Sequence, residues 1–215
     1  MISRFFESFL FSVCLAISLC GPGCYVAPKI IEHPAKVLTR VVRVYHADTA
    51  FNAWERKIIQ DSLDRINIQS NGLLELSVVY DLDWDHGPVS ELARMEGLHQ
   101  IVKLPSSAPI VSTMDGDRKD HNYTQGYARV DFNFPSRPTK VYIIFDRVMY
   151  SREMYEHVVI HELLHSVGVP HVNDVKAVMN PVSDRVHPQL CMNLNDAKAL
   201  CKVYHCDAED LNYCE

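Results

Sequence analysis

Between residues 161 and 171 the chain reads His161-Glu162-Leu163-Leu164-His165-Ser166-Val167-Gly168-Val169-Pro170-His171, and no other stretch restricts the fold so tightly. On an α-helix, residues four apart lie on one face, one turn above each other. His161 and His165 therefore present their imidazoles together, and one metal ion can take a nitrogen from each. Glu162 sits beside the first histidine, where its carboxylate can reach a metal-activated water without being a ligand itself. The helix must then stop. Gly168 suits that position, because glycine enters the positive-φ region at little steric cost. A turn there can return the chain so that His171 completes a three-histidine set, with a fourth position open to water. This donor set is the one a single catalytic zinc ion takes. Gly168 and His171 fall at the spacing of the extended form of the motif, which a chance pair of histidines would not explain. Met179 follows in Val178-Met179-Asn180-Pro181, a tight-turn sequence placed to lie beneath the metal.

These residues resemble the metzincin clan of zinc metalloendopeptidases, and the step from His171 to Met179 is most similar to the matrixin branch. The resemblance implies that His161, His165 and His171 are the zinc ligands, Glu162 the general base and Met179 the methionine of the turn. It also implies an α+β fold: a twisted mixed sheet, two backing helices, and a small C-terminal subdomain holding the methionine turn and a third helix. The third histidine would come from that lower subdomain, so the cleft would run across the zinc. Val172 stands where matrixins typically carry serine, and Asn180, Val182 and Ser183 replace tyrosines around the turn. The shape of the specificity pocket is therefore not carried over. No Pro-Arg-Cys-Gly segment precedes the domain, so latency by a thiol-capped zinc is not expected.

The chain has 215 residues and a net charge of −6. That suffices for one domain with a substantial core, and its acidic balance argues against nucleic-acid binding. At the N-terminus, Arg4 precedes an apolar stretch over residues 9–20 and then Gly21-Pro22-Gly23-Cys24. A basic start, a short apolar run and small residues make a secretory signal. Residues 1–24 are thus expected to direct export, 25–35 to form a linker and 36–215 to form the catalytic domain. Cys24, after Gly23, is a candidate lipidation site, set against ordinary secretion; a lipid there would be the chain's only link to a membrane. The protein is expected in the cell envelope or secreted, and as a monomer. Cys191, Cys201, Cys206 and Cys214 cluster at the C-terminus, an even set that reads as two disulfides in an exported chain. Three pairings are open. The bridges are expected to pin the last helix and tail under the ligand helix.

Apolar periodicity organises the rest. Residues 37–45 alternate as a strand; Asp48 or Asn52 can cap the following helix, with Phe51, Trp54, Ile58, Ile59, Leu63 and Ile66 at helical spacing and Asn71-Gly72 at its end. Residues 73–80, 98–104, 128–134 and 140–145 read as strands, and 105–126 as a long loop. Ser151 can cap the ligand helix over 152–167, and Asn193 to Asp196 opens a last helix with an acid in its first turn. Asp81, Asp83 and Asp85 form an acidic triplet, with a calcium ion the bolder reading and a solvated strand end the plainer one; the sequence lacks the glycine placement of an EF-hand loop. Asp115, Asp117, Asp120 and His121 pose the same question for structural metals in the long loop. His157 reads as a packed histidine, and His187 as a candidate cleft residue. The function expected is hydrolysis of protein or peptide substrates by a zinc-activated water. A narrow processing peptidase or aminopeptidase, and a zinc-stabilised binding module that no longer cleaves, remain as alternatives.

Overall fold

Alternation of side chains from Val41 to Asp48 sets the first strand of the sheet: Arg43, Tyr45 and Ala47 are buried while Val42 and Val44 face outwards. The computed structural model describes residues 30–31, 40–83, 97–108, 126–129, 138–145, 151–182 and 187–214. A two-residue strand, β1 (Ile30–Ile31), is followed by β2 (Val41–Asp48), α1 (Ala53–Gln69), β3 (Leu74–Leu82), β4 (His99–Lys103), β5 (Gly126–Arg129) and β6 (Lys140–Ile143). The ligand helix α2 (Arg152–Ser166), α3 (Leu194–Tyr204), a 3₁₀ turn (Ala208–Asp210) and β7 (Tyr213–Cys214) complete the order. Residues 1–24, with Cys24, lie outside the described residues. So do Asp85, Asp115, Asp117, Asp120 and His121.

The five-stranded sheet has the order β3-β2-β4-β6-β5. Four strands run parallel and β5 pairs antiparallel with β6 at the edge. A parallel pair needs a crossover, and α1 supplies the one between β2 and β3. Asn52, rather than Asp48, caps α1: its side chain accepts from the Trp54 and Glu55 N–H groups while Glu55 accepts from the Asn52 N–H. Such a cap contributes about 1 kcal/mol. Asp48 instead holds the Ala50 N–H one turn earlier. Asn71 and Gly72 both take positive φ and turn the chain into β3.

The apolar stripe of α1 (Ile58, Ile59, Leu63, Ile66) meets Val159, Ile160, Leu163 and Leu164 of α2 in one core with Tyr45, Ile101 and Val141 of the sheet. Two ion pairs, Arg65–Glu156 and Arg152–Asp61, fix the two helices along their shared edge. The same core continues through Val178, Met179, Met192 and Leu200, so the C-terminal part is packed onto the sheet domain without a break. No helix among the described residues is long and apolar enough to cross a membrane.

The cysteines pair as Cys191–Cys214 and Cys201–Cys206. A bridge of this kind stabilises by about 2–4 kcal/mol. The sequence led us to expect the bridges to pin the last helix and tail under the ligand helix; Leu211 of the tail shares one core with Leu163, Leu164 and Val167. The tail also closes the C-terminus of α1: the Asn212 N–H donates to the Gln69 carbonyl at 2.8 Å and its side chain to the Ile68 carbonyl at 2.8 Å. Carbonyls in the last turn of a helix lack a full set of donors within it, and Asn212 supplies one to each of these. Ile30–Ile31, within the expected linker, adds an antiparallel strand to the tail at Tyr213–Cys214.

His99, half-buried at the start of β4, accepts at Nδ1 from the Thr139 N–H (3.2 Å). Burial, and then the charge of Arg43, bring its pKa down to about 4. The unfolded chain binds a proton at this histidine below about pH 6.5 while the folded chain refuses it until about pH 4. Stability carried by this residue is therefore lost as pH falls through that window. In chelated protein, His99→Gln should flatten the decline of the urea midpoint between those two pH values relative to the parent; parallel curves would assign the acid sensitivity elsewhere.

Candidate metal centre

Ser151 starts the ligand helix, its hydroxyl accepting from the Met154 N–H. Ten residues on, His161 and His165 stand one turn apart with ring centroids 4.6 Å apart. The helix ends as the glycine requires: Gly168 has φ +89°, its N–H donates to the His165 carbonyl at 2.8 Å, and the Val169 N–H reaches the Leu164 carbonyl at 3.0 Å. That reversal brings His171 back. Its Nε2 lies 3.3 Å from Nε2 of His161 and 3.1 Å from Nε2 of His165.

The other ring nitrogens decide what these atoms can do. Nδ1 of His161 is 2.8 Å from the Val178 carbonyl, and Nδ1 of His165 is 2.8 Å from the Val169 carbonyl. A carbonyl only accepts, so both Nδ1 atoms carry the proton and both Nε2 atoms offer a lone pair. Convergent lone pairs repel unless a cation lies among them. A tetrahedral zinc with Zn–N of about 2.0–2.1 Å holds its ligand nitrogens roughly 3.3 Å apart, and the observed spacing fits it. Among the described residues, these three histidines form the one group able to hold a metal ion. Burial is the main cause that keeps all three imidazoles neutral, with His161 brought down to about 3 by burial and then by the neighbouring His165. Neutral imidazole is the metal-binding form.

Glu162 is 8 % exposed and lies under the edge strand β5. A Cβ on Gly126 would stand 2.6 Å from its Cγ and 3.0 Å from its Oε1, so only glycine permits this approach. The carboxylate accepts the Ala128 N–H, and burial raises its pKa to about 8 against that bond. A divalent cation in the histidine cradle would draw it back down. Met179 is fully buried, and its carbonyl accepts the Val172 N–H at 2.8 Å.

Sequence reasoning did not foresee how the methionine turn is held. Asp196, fully buried, accepts from the Val178 N–H (2.9 Å), the Met179 N–H (3.1 Å) and the Asn193 N–H (3.0 Å). One carboxylate thus caps α3 and fixes the turn whose carbonyl orients His161. Its place in the first turn of α3 was visible; its reach to residue 178 was not. His157 is buried, with Nδ1 bonded to the Gln189 carbonyl at 2.7 Å, as expected for a packed histidine. His187 is exposed and outside the metal group. Asp81 of the acidic triplet pairs with His46 at 2.9 Å on the sheet surface.

The sequence profile of the matrixins matches residues 28–205. No curated protein matched. Among solved structures, metalloproteinase-II from Bacteroides fragilis aligns at a TM-score of 0.50 and 14% identity over 82% of this chain. The alignment covers 56% of that protein, so this chain spans about half its length. An archaemetzincin from Methanopyrus kandleri aligns at a TM-score of 0.49 and 16% identity, over 78% of this chain and 97% of that one. The first of these likenesses concerns the fold.

Proposed function

The chain belongs to the matrixin family of metallopeptidases, and on that premise we propose that it is an exported zinc-dependent endopeptidase acting on proteins or peptides. The observation that carries this reading is the convergence of three histidine Nε2 atoms beside a buried carboxylate that is not one of the group. Zinc bound to His161, His165 and His171 would polarise the scissile carbonyl and lower the pKa of a water to about 7. Glu162 would accept the proton of that water and pass it to the leaving amine. The Ala128 N–H, bonded to the carboxylate, would hold it in place for both transfers. β5 is the outer strand of the described sheet, and an extended substrate would lie along it by strand addition.

Residues 1–24 would direct export, with Cys24 the candidate for lipid attachment, and 36–215 would form the catalytic domain. Two disulfides suit an oxidising compartment outside the cytosol. The reading is tested with a fluorescent protein substrate and a library of peptides with blocked and free termini, with and without chelator. Cleavage of blocked peptides that chelator abolishes supports an endopeptidase. Trimming from free N-termini alone would make it an aminopeptidase. Full zinc occupancy without any cleavage would leave a binding module.

A methyl group at residue 126 would press on Glu162 and on Val158. Gly126→Ala should therefore lower kcat by about 10–100-fold, the cost of displacing a catalytic group by a fraction of an ångström to one ångström. Zinc affinity should not change, and steady-state kinetics beside metal analysis will show whether it does.

A further inference from the structure

The exit of the ligand helix is held by side chains from two distant elements. Arg43 of β2 is 4 % exposed, and its Nη1 donates to the Ser166 carbonyl at 2.6 Å. Tyr45, two residues along the same strand and fully buried, shares a hydrogen bond of 2.6 Å with the Ser166 hydroxyl. From α3, the Tyr204 hydroxyl donates to the Val167 carbonyl at 2.9 Å. Burial keeps the Tyr204 phenol protonated, with its pKa up at about 12, so it remains a donor at any physiological pH.

These contacts sit between the second ligand and the glycine that returns the third. The last carbonyls of a helix have no partner within it and carry the negative end of its dipole. A buried guanidinium answers both needs at once, with a charge-assisted bond stronger than a neutral one. The held carbonyls belong to residues 166 and 167. Directly after them the Gly168 turn delivers the Val169 carbonyl that fixes the His165 ring, and then His171 itself. A shift of the turn would therefore move the orientation of one ligand and the position of another together.

We propose that Arg43, seconded by Tyr204, is a positioning residue of the metal centre: it sets the exit of the ligand helix so that the three imidazoles meet at one point. The inference rests on the zinc reading given above. It predicts a dependence of metal affinity on a strand residue that touches neither metal nor substrate. The test is zinc affinity of the full chain by competition with a chromophoric chelator, and the visible spectrum of the protein loaded with Co²⁺. Arg43→Met should weaken zinc binding by about 10–100-fold, the usual effect of removing a group that orients a ligand, and reduce the intensity of the tetrahedral Co²⁺ bands. Arg65→Met is the control: it breaks the ion pair with Glu156 elsewhere on the same helix and should lower thermal stability while leaving zinc affinity and spectrum at parental values.

Parental affinity and spectrum in Arg43→Met would overturn the proposal and leave Arg43 a purely structural residue. An equal loss in Arg65→Met would overturn it too, since general destabilisation would then account for both. Should Arg43→Met fail to fold, Tyr204→Phe decides: a loss of about 2–10-fold, the worth of one neutral hydrogen bond, supports it, and no loss overturns it. The parent is measured first. A parent that takes up no zinc would defeat the zinc reading itself, a result distinct from any outcome with the variants.

Discussion

Glu162→Gln should keep its zinc and lose about 10²–10⁴-fold in kcat, the usual contribution of a positioned general base. Glutamine has nearly the same shape, so the close approach of Gly126 in β5 to this side chain survives. What it lacks is a carboxylate able to take a proton. The variant should also be at least as stable as the parent, because burial already disfavours the ionised form of Glu162 and raises its pKa to about 8. Three measurements belong together: metal content, thermal midpoint and cleavage rate. Loss of zinc in the variant would mean that Glu162 helps to hold the metal. Unchanged cleavage would mean that the proton goes elsewhere.

Asp196→Ala should produce the largest loss of stability. The side chain satisfies two N–H groups of the methionine turn and one at the start of α3, all at 2.9–3.1 Å. Alanine would leave two buried donors without partners, at about 1–3 kcal/mol each, and remove a reciprocal helix cap of about 1 kcal/mol. The total is roughly 3–7 kcal/mol, readable as a shift in the urea unfolding midpoint. Zinc affinity should fall as well, because the Val178 carbonyl that orients His161 belongs to the same turn. Asp196→Asn, which retains one acceptor oxygen, should lie between the two. A variant within about 1 kcal/mol of the parent, the scale of an ordinary substitution, would show that water replaces the carboxylate and that the turn holds itself.

Much of the centre was legible because it is local. Helical spacing put His161 and His165 on one face, and the one residue able to adopt φ +89° without strain was in the sequence at 168. The caps Ser151 and Asn193 sit next to the helices they begin and were readable for that reason, while Asn52 was one of two candidates with Asp48. The long-range partners were not. Ala128 and Gly126 belong to the edge strand, and nothing in their identity says that they lie on Glu162. The Val178 and Val169 carbonyls that choose the tautomers are backbone atoms, which every residue has. Four clustered cysteines implied two bridges, but their pairing depends on where the tail lies. It lies against Gln69 and Ile68 of α1, 123 and 144 residues from its partners Met192 and Asn212. Strand Val41–Asp48 was readable from alternation, whereas the buried Arg43 within it looked like any surface-strand arginine until its carbonyl partner appeared.

The central claim is that one zinc, held by these three histidines, makes the chain a peptidase. Titrating zinc into chelated protein, while following bound metal and cleavage of a blocked fluorescent peptide, tests it most directly. The account predicts that cleavage rises in proportion to occupancy, saturates at one equivalent, and is absent throughout in His165→Ala. One equivalent of tightly bound zinc with no cleavage of any blocked peptide, or undiminished cleavage in His165→Ala, would contradict it.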